Sequence, residues 1–126
     1  MILDNKSLLK LDGLHEHLLA VVGHAAEISD MNFIVTEGVR TEKRQAELFA
    51  AGASQTMNSR HLTGHAVDLA VKVGKEVRWD WPLYGQLNTI MQEAASQMGV
   101  KLEWGGNWKS FKDGPHWQLP WEDYPA

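Results

Sequence analysis

The run HAVDLAVKV, residues 65–73, alternates between bulky apolar side chains and smaller or polar ones. Successive side chains of a β-strand point to opposite faces, so this run predicts a strand with one strongly apolar face. The bulky side chains on that face are Val67, Leu69 and Val71. Asp68 then lies on the opposite face, between Ala66 and Ala70. A carboxylate among such small residues faces either solvent or a cleft that has room for a ligand beside it.

Helical periodicity precedes this strand. From Ser7 to Ile28 apolar residues recur at three- and four-residue steps, which predicts a first helix with Ser7 as its N-cap. Gly13 and Gly23 weaken that helix, and either of them can break it.

Two more helices are predicted. One begins after Thr41 and ends at Gly52. Its expected inward-facing residues are Ala46, Leu48, Phe49 and Ala50. The other starts at Pro82, runs to about Met98 and is closed by Gly99.

The remaining patterns predict short strands. Phe33–Thr36 is β-branched and ends before a glycine, and VKLEWGGNWKSFKDGPHWQLP reads as a strand, a loop and a final strand. The last two strands can pair as a long hairpin. The order of elements indicates an α+β fold, a small antiparallel β-sheet with helices packed on it.

Length and composition exclude several classes of protein. The 126 residues suit one compact domain, 1–126. The absence of cysteine excludes disulfide scaffolds, cysteine-based zinc sites and thiol nucleophiles. A net charge of −4 argues against nonspecific nucleic-acid binding. No apolar run reaches the roughly 20 residues of a membrane helix, and charged residues interrupt the N-terminal stretch, so we expect neither membrane insertion nor a signal peptide.

Histidines and carboxylates cluster in two segments. His61 lies seven residues before Asp68, and Gly64 between them permits a turn that brings the imidazole back toward the carboxylate. Further on, a Gly-Pro pair separates Asp113 from His116 and breaks strand alternation, so both side chains can converge on one point. Two histidines and a carboxylate with an open fourth position are a catalytic zinc set, and a free carboxylate beside it is the general base that such a metal needs.

Four segments together resemble a known enzyme family. SRHLTGHAVDL is similar to the Ser-x-His-x-x-Gly-x-Ala-x-Asp signature of the zinc D-Ala-D-Ala carboxypeptidases and L-alanyl-D-glutamate endopeptidases, the M15 peptidases. DGPHWQL resembles the second signature, acid-x-x-His-[Trp/Phe]. TEGVRT and WGGNW resemble the Gly-x-Arg and Trp-Gly-Gly segments. All four occur in family order, and the short single-domain form is most similar to the phage endolysin branch.

The resemblance implies a role for each matching residue. The zinc ligands would be His61, Asp68 and His116, holding one Zn²⁺ per chain. Asp113 would be the catalytic acid/base, and Arg40 would steady the substrate carbonyl as negative charge develops on it. Ser59 would support the ligands from behind. His65 falls on a variable position and is expected to be a structural or rim histidine.

Other residues keep two interpretations. Glu103 is a rival base without the three-residue link to His116. Gln45 lies close to Arg40 in sequence, as in the family, but an exposed helix face is slightly favoured. Gln118 either touches substrate or is an ordinary exposed strand residue. Trp104 belongs to a C-terminal group of tryptophans that forms either the edge of the core or a wall of the cleft. Arg60 is expected to face solvent.

The resemblance implies a zinc metallopeptidase that cuts peptidoglycan stem peptides, with the L-Ala–D-Glu bond favoured. The alternatives are a D-Ala-D-Ala carboxypeptidase with the same zinc site, a noncatalytic peptidoglycan-binding module, and a structural protein whose histidines and aspartates never meet. A monomer without a separate wall-binding domain is expected. Without a signal peptide it would reach periplasmic peptidoglycan through a holin-type partner, in phage lysis or in a host protein-release system.

Overall fold

A computed structural model describes residues 1–54 and 56–125. It contains four α-helices and five short β-strands within those ranges. The elements are α1 Asn5–Lys10, α2 Glu16–Ile28, β1 Asn32–Glu37, α3 Glu42–Ala50, β2 Ala66–Val73, β3 Glu76–Arg78, α4 Trp81–Met98, β4 Glu103–Trp104 and β5 His116–Gln118. Single 3₁₀ turns occupy Arg60–Thr63 and Gly105–Asn107.

The predicted strand β2 is the centre of an antiparallel sheet. The order along the sheet is β1-β2-β5-β4, and β3 pairs with the end of β2. The register of β2 against β5 sets Asp68 directly opposite His116. On its other side, β1 ends with Glu37 opposite Asp68, after a β-bulge. Two strands therefore bring polar residues to the same point beside the Asp68 carboxylate.

The hydrophobic core lies between the sheet and helices α2 and α4. As predicted, the bulky face of β2 is buried, with Val67, Leu69 and Val71 at most 1% exposed. Trp117 on β5 and Leu87 on α4 are fully buried in the same core. Removing this apolar area from water contributes roughly 25 cal/mol per Å². The α+β architecture with a small antiparallel sheet is confirmed.

The predicted first helix is interrupted at Gly13, one of the two glycines that could break it. Gly13 has φ 83°, and it lies between α1 and α2. The prediction of Ser7 as N-cap is wrong, because the Asp4 side chain caps α1 by accepting a bond from the backbone N–H of Ser7. Ser7 is instead buried, and its hydroxyl oxygen accepts the backbone N–H of Val35 at 2.9 Å.

Helix α3 does not turn its apolar residues inward. Of its nine residues only Gln45 is buried, and Phe49 is 46% exposed. The expected inward face was therefore wrong. Strand β3 was not predicted, and the hairpin of the last two strands pairs over only two positions. No helix within residues 1–54 or 56–125 combines the length and apolar composition of a bilayer-crossing segment.

Gly64→Ala is expected to destabilise the protein by more than the about 1–2 kcal/mol that a left-handed residue with a Cβ costs. Gly64 has φ 76°, and an added Cβ would lie 2.6 Å from the carbonyl oxygen of Gly13. The Gly64 carbonyl also accepts the N–H of His15 at 2.8 Å, which fixes the two segments together. Equilibrium urea unfolding measures the loss. Gly74→Ala is the matched control, because Gly74 has φ 63° and open space around it. Equal losses in both variants would contradict the clash.

Candidate active site

Three side chains from distant positions meet at one point. The Nε2 atom of His61 lies 3.2 Å from the Oδ1 atom of Asp68, and the Nδ1 atom of His116 lies 3.0 Å from the same oxygen. All three atoms are within 4.8 Å of one another. Ligands 2.0–2.1 Å from a tetrahedral zinc ion are about 3.3 Å apart, so the two distances to Asp68 fit edges of such a site.

Local structure explains how His61 returns to the strand. Ser59 caps the 3₁₀ turn, and its hydroxyl oxygen accepts the N–H of His61 at 3.2 Å. Gly64 ends the turn in the left-handed conformation, after which the chain enters β2. The His61 carbonyl accepts the backbone N–H of Arg40 at 2.9 Å. Ser59 therefore supports the backbone of His61, and its role behind a metal ligand stays a prediction.

The second nitrogen of each imidazole faces an acceptor. The Nδ1 atom of His61 is 2.9 Å from the carbonyl oxygen of Gly38, and the Nε2 atom of His116 is 2.7 Å from the Oε1 atom of Gln118. A neutral imidazole carries one proton, which these acceptors bind. With the protons placed there, the nitrogens that face Asp68 are free to bind a metal; in the absence of a metal they can instead carry protons bonded to the carboxylate. Two ring nitrogens and a carboxylate oxygen therefore converge at one place, and this donor set fits Zn²⁺.

The carboxylate of Asp68 is held in its charged form. Burial alone would raise the pKa of Asp68, but the hydrogen bonds to His116 and His61 outweigh burial and hold it well below its usual range. Burial likewise would lower the pKa of His116, yet the contact with Asp68 raises it. The cluster therefore favours a positive charge at its centre, supplied by protons or by a metal.

Asp113 lies beside the cluster without joining it. It lines a cavity of about 590 Å³ together with His61, Asp68 and His116. Burial, followed by the negative charge of Asp68, raises the pKa of the Asp113 carboxyl. Its backbone N–H donates to the Gly105 carbonyl at 3.0 Å, so the Gly-Gly loop fixes its position. A carboxylate with raised proton affinity, facing a cavity, suits general-base chemistry.

Arg40 reaches the same cavity but is already well bonded. Its Nε and Nη2 atoms donate to the two oxygens of Glu37 at 2.7 Å each, and its Nη1 atom donates to Gln45 at 2.7 Å. The Nη2 atom is also 3.9 Å from the Oδ2 atom of Asp68. Burial opposes ionisation of Glu37, but the bonds with Arg40 hold its pKa below the ordinary value. Three hydrogen bonds thus fix the orientation of the guanidinium, and the Glu37 carboxylate offsets its positive charge.

Gln45 and Arg60 are not exposed, contrary to the sequence interpretation. Gln45 is fully buried and donates to the Ser54 hydroxyl at 2.8 Å and to the Thr56 carbonyl. It therefore holds Arg40 against the loop after α3, although its helix is otherwise solvated.

Arg60 is only 3% exposed. Its guanidinium donates to the carbonyl oxygens of Leu119 at 2.9 Å and Tyr124 at 2.6 Å. The same group lies 4.0 Å above the Trp121 ring, a cation–π contact. This side chain joins the C-terminal segment to the ligand-bearing turn.

The rival base Glu103 faces away from the cluster. It lines a second cavity of about 750 Å³, and its Oε2 atom accepts bonds from Trp108 and Gln118. Gln118 is 6% exposed, so the exposed-strand interpretation was wrong. Trp104 is 8% exposed and donates its indole N–H to the Gly114 carbonyl at 2.7 Å, beside Asp113. Substrate contact by Gln118 or Trp104 stays a prediction.

Glu37 and Phe111 are among the residues of the cavity that were not singled out from the sequence. Glu37 pairs with Arg40 three residues later, a spacing that is common in any chain. Phe111 lines the cavity with φ 52°, and its ring is 68% exposed. A left-handed backbone at a bulky residue carries strain, and such strain concentrates at functional sites. Nothing in the local sequence marked this residue.

His65 lies outside the cluster of candidate ligands. Its Nδ1 atom is 2.6 Å from the Thr63 hydroxyl, and its ring centre is 5.2 Å from that of His15. Burial lowers the pKa of His65, and the charges of Arg60 and His15 lower it further. Through the contact with Thr63, His65 packs against the 3₁₀ turn that carries His61.

His65 is expected to contribute a loss in the free energy of unfolding as the pH drops below about 6.5, the ordinary histidine pKa. There the unfolded chain binds a proton that folded His65 resists, so stability present above that pH is lost toward the folded pKa. Thermal unfolding between about pH 5 and 7.5 measures the slope. His65→Gln should flatten it, and an unchanged slope would contradict the assignment.

The fold of the chain is shared with a solved structure. The chain shares its fold with the vancomycin-resistance D,D-dipeptidase VanXYg, with a TM-score of 0.56, 16% identity, and coverage of 84% of this chain and 50% of that one. It therefore has the small α+β zinc peptidase fold that the sequence predicted.

The chain belongs to the family described as Phage L-alanyl-D-glutamate peptidase, which matches residues 1–118. It is similar to the L-Ala D-Glu endopeptidase ChiX of Serratia marcescens, with a TM-score of 0.93 and 45% identity, covering 99% of this chain and 95% of that one. It is 34% identical over 123 residues to the L-alanyl-D-glutamate peptidase of Listeria phage A118. That match covers 95% of this chain but only 43% of the phage protein. The family resemblance is confirmed.

Proposed function

We propose that this chain is a zinc-dependent endopeptidase that hydrolyses the L-Ala–D-Glu bond of peptidoglycan stem peptides. One observation carries the proposal: an imidazole nitrogen of His61 and one of His116 converge on the Asp68 carboxylate, and the cavity beside them holds Asp113. Relatives named for cleavage of this bond support the choice of substrate.

Zinc would be held by His61, Asp68 and His116. When bound, it supplies Lewis acidity that makes water a nucleophile near neutral pH. Asp113 takes the proton of the attacking water and later delivers it to the leaving amine. Arg40 lines the cavity and keeps two N–H donors that Glu37 and Gln45 do not use, which would stabilise negative charge on the carbonyl oxygen. Its bonds with Glu37 and Gln45 keep the guanidinium in place during the reaction.

Digestion of purified muropeptides tests the proposal. The zinc-loaded protein should release peptides that begin with D-Glu and leave L-Ala on the muramyl group, as mass spectrometry detects. Treatment with a chelator should stop cleavage, and added zinc should restore it. Loss of terminal D-Ala alone would replace the proposal with the carboxypeptidase alternative. No cleavage at all, with zinc bound, would favour a noncatalytic binding module.

The proposed place of action is periplasmic peptidoglycan, reached by a monomer through a holin-type lesion. The phage origin of one relative supports a lytic role, and the bacterial origin of another suits a host release system. Expression in a Gram-negative host tests the route. Lysis should occur when a holin is produced as well, and the protein alone should leave the culture intact. Lysis without a holin would contradict this route.

A further inference from the structure

We propose that Glu103, acting through Gln118, is a positioning residue that determines which ring nitrogen of His116 faces the metal. The inference rests on the metal site of the proposed function and concerns only residues of this chain. Neither Glu103 nor Gln118 lies within the cavity that holds the candidate ligands. Their effect on the candidate ligands would therefore pass through the imidazole of His116.

The contacts form a continuous chain. The indole N–H of Trp108 donates to the Oε2 atom of Glu103 at 3.1 Å. The side-chain amide nitrogen of Gln118 donates to the same oxygen at 2.9 Å. The Oε1 atom of Gln118 is 2.7 Å from the Nε2 atom of His116. The Nδ1 atom of that ring is 3.0 Å from Asp68.

The donor and the acceptor of each hydrogen bond in this series can be assigned in turn, starting from Trp108. An indole nitrogen only donates, and a carboxylate only accepts, so Glu103 draws the amide N–H of Gln118 toward itself. The carbonyl oxygen of Gln118 must then face His116. That oxygen accepts the ring proton on Nε2, which leaves the lone pair on Nδ1. A reversed amide would set two oxygens against each other at Glu103, and the ring would lose its acceptor.

The sheet holds this chain rigidly. Glu103 and Gln118 are Cα partners in the register of β4 against β5, so their side chains lie on one face. Gln118 and His116 are each 6% exposed. The Trp108 ring centre lies 5.1 Å from that of His116. With little water to compete, the amide orientation is determined by Glu103.

His61 needs no such relay. Its Nδ1 proton goes to the Gly38 carbonyl, a backbone acceptor that cannot rotate. A Cβ at Gly38 would lie 2.0 Å from the Lys10 carbonyl oxygen, so this backbone is tightly enclosed. His116 is oriented by side chains, which a substitution can remove. The two ligands thus differ in a way that an experiment can use.

Glu103→Met is expected to weaken zinc binding by about 10–100-fold, the usual effect of losing a partner behind a metal-binding histidine. Chelator competition measures that affinity. In zinc-loaded wild-type protein, ¹H–¹⁵N spectra should show a slowly exchanging proton on Nε2 of His116. The variant should lose this signal through fast exchange with water, while the Nδ1 proton of His61 stays unchanged. Gln118→Met should give the same pattern.

Glu103→Gln is the rescue variant, because a carboxamide oxygen accepts both bonds and should restore affinity and signal. Glu76→Met, at an exposed position of β3, is the matched control for removing a glutamate and should change nothing. Wild-type affinity and an unchanged His116 signal in Glu103→Met would overturn the inference. So would equal broadening at His61 and His116, which would indicate general loosening. Failure of the wild-type protein to bind zinc would instead remove the proposed function, and the inference with it.

Discussion

Asp113→Asn should lower kcat/KM on a defined stem peptide by about 10²–10⁴-fold, the usual range for removal of a general base. Asparagine keeps the shape of the side chain but cannot accept the proton of the attacking water. Asp113 stands apart from the three-residue cluster, so one zinc per chain should remain bound. Steady-state kinetics and metal analysis of the same preparation measure the two quantities together.

Asp30→Asn provides a control for the loss of one negative charge at an exposed position. It should leave both activity and zinc content at wild-type values. If Asp113→Asn retains more than half of the wild-type rate, the base is another group. If the variant loses zinc as well as activity, Asp113 acts as part of the metal site and its assigned role is wrong.

The approach of His61, Asp68 and His116 to one another could be predicted because most of its determinants are local. Alternation along β2 gives the face of Asp68, and Gly64 marks the turn that returns His61. Only the register of β2 against β5, which brings His116 opposite Asp68, is a long-range fact. The family signatures supplied it indirectly, because they join two segments 48 residues apart in one pattern.

The support around the cluster could not be predicted in the same way. The sequence around Gln45 indicates an exposed helix face. Its burial depends on bonds with Ser54 and Thr56, which belong to the loop after α3 and which helical periodicity does not reveal. Arg60 reads as an exposed cation, because its acceptors are carbonyl groups about 60 residues later. Every residue carries a backbone carbonyl, so the residue type does not show which carbonyl accepts a given hydrogen bond. Such pairings can be identified only from the three-dimensional course of the backbone.

Helix α3 shows a second limit of sequence patterns. Periodicity identified its apolar residues, but whether an apolar face is buried depends on a neighbour to cover it. Phe49 is 46% exposed, whereas the polar Gln45 of the same helix is fully buried. The element that departs most from the hydrophobic pattern is thus one that borders the candidate site, where polar anchoring of Arg40 replaces apolar packing.

Asp68→Asn is expected to abolish both zinc binding and hydrolysis. Asp68 is the one anionic member of the cluster, and hydrogen bonds with both histidines keep its carboxylate charged despite burial. Asparagine removes the charge that offsets a divalent cation, and its amide nitrogen has no lone pair to offer a metal. Metal analysis should show zinc falling from one per chain to background. Turnover should fall at least as far as in Asp113→Asn.

Comparison of the two variants separates the two roles. Both replace one aspartate that lines the same cavity by its isosteric amide. Asp113→Asn should hold zinc without turning over substrate, whereas Asp68→Asn should do neither, even with added zinc at concentrations that saturate the wild-type protein. One zinc per chain in Asp68→Asn, with activity retained, would contradict coordination by this carboxylate. Because three ligands are needed to hold the ion and leave one position for water, the proposed hydrolase mechanism would then lose its metal centre.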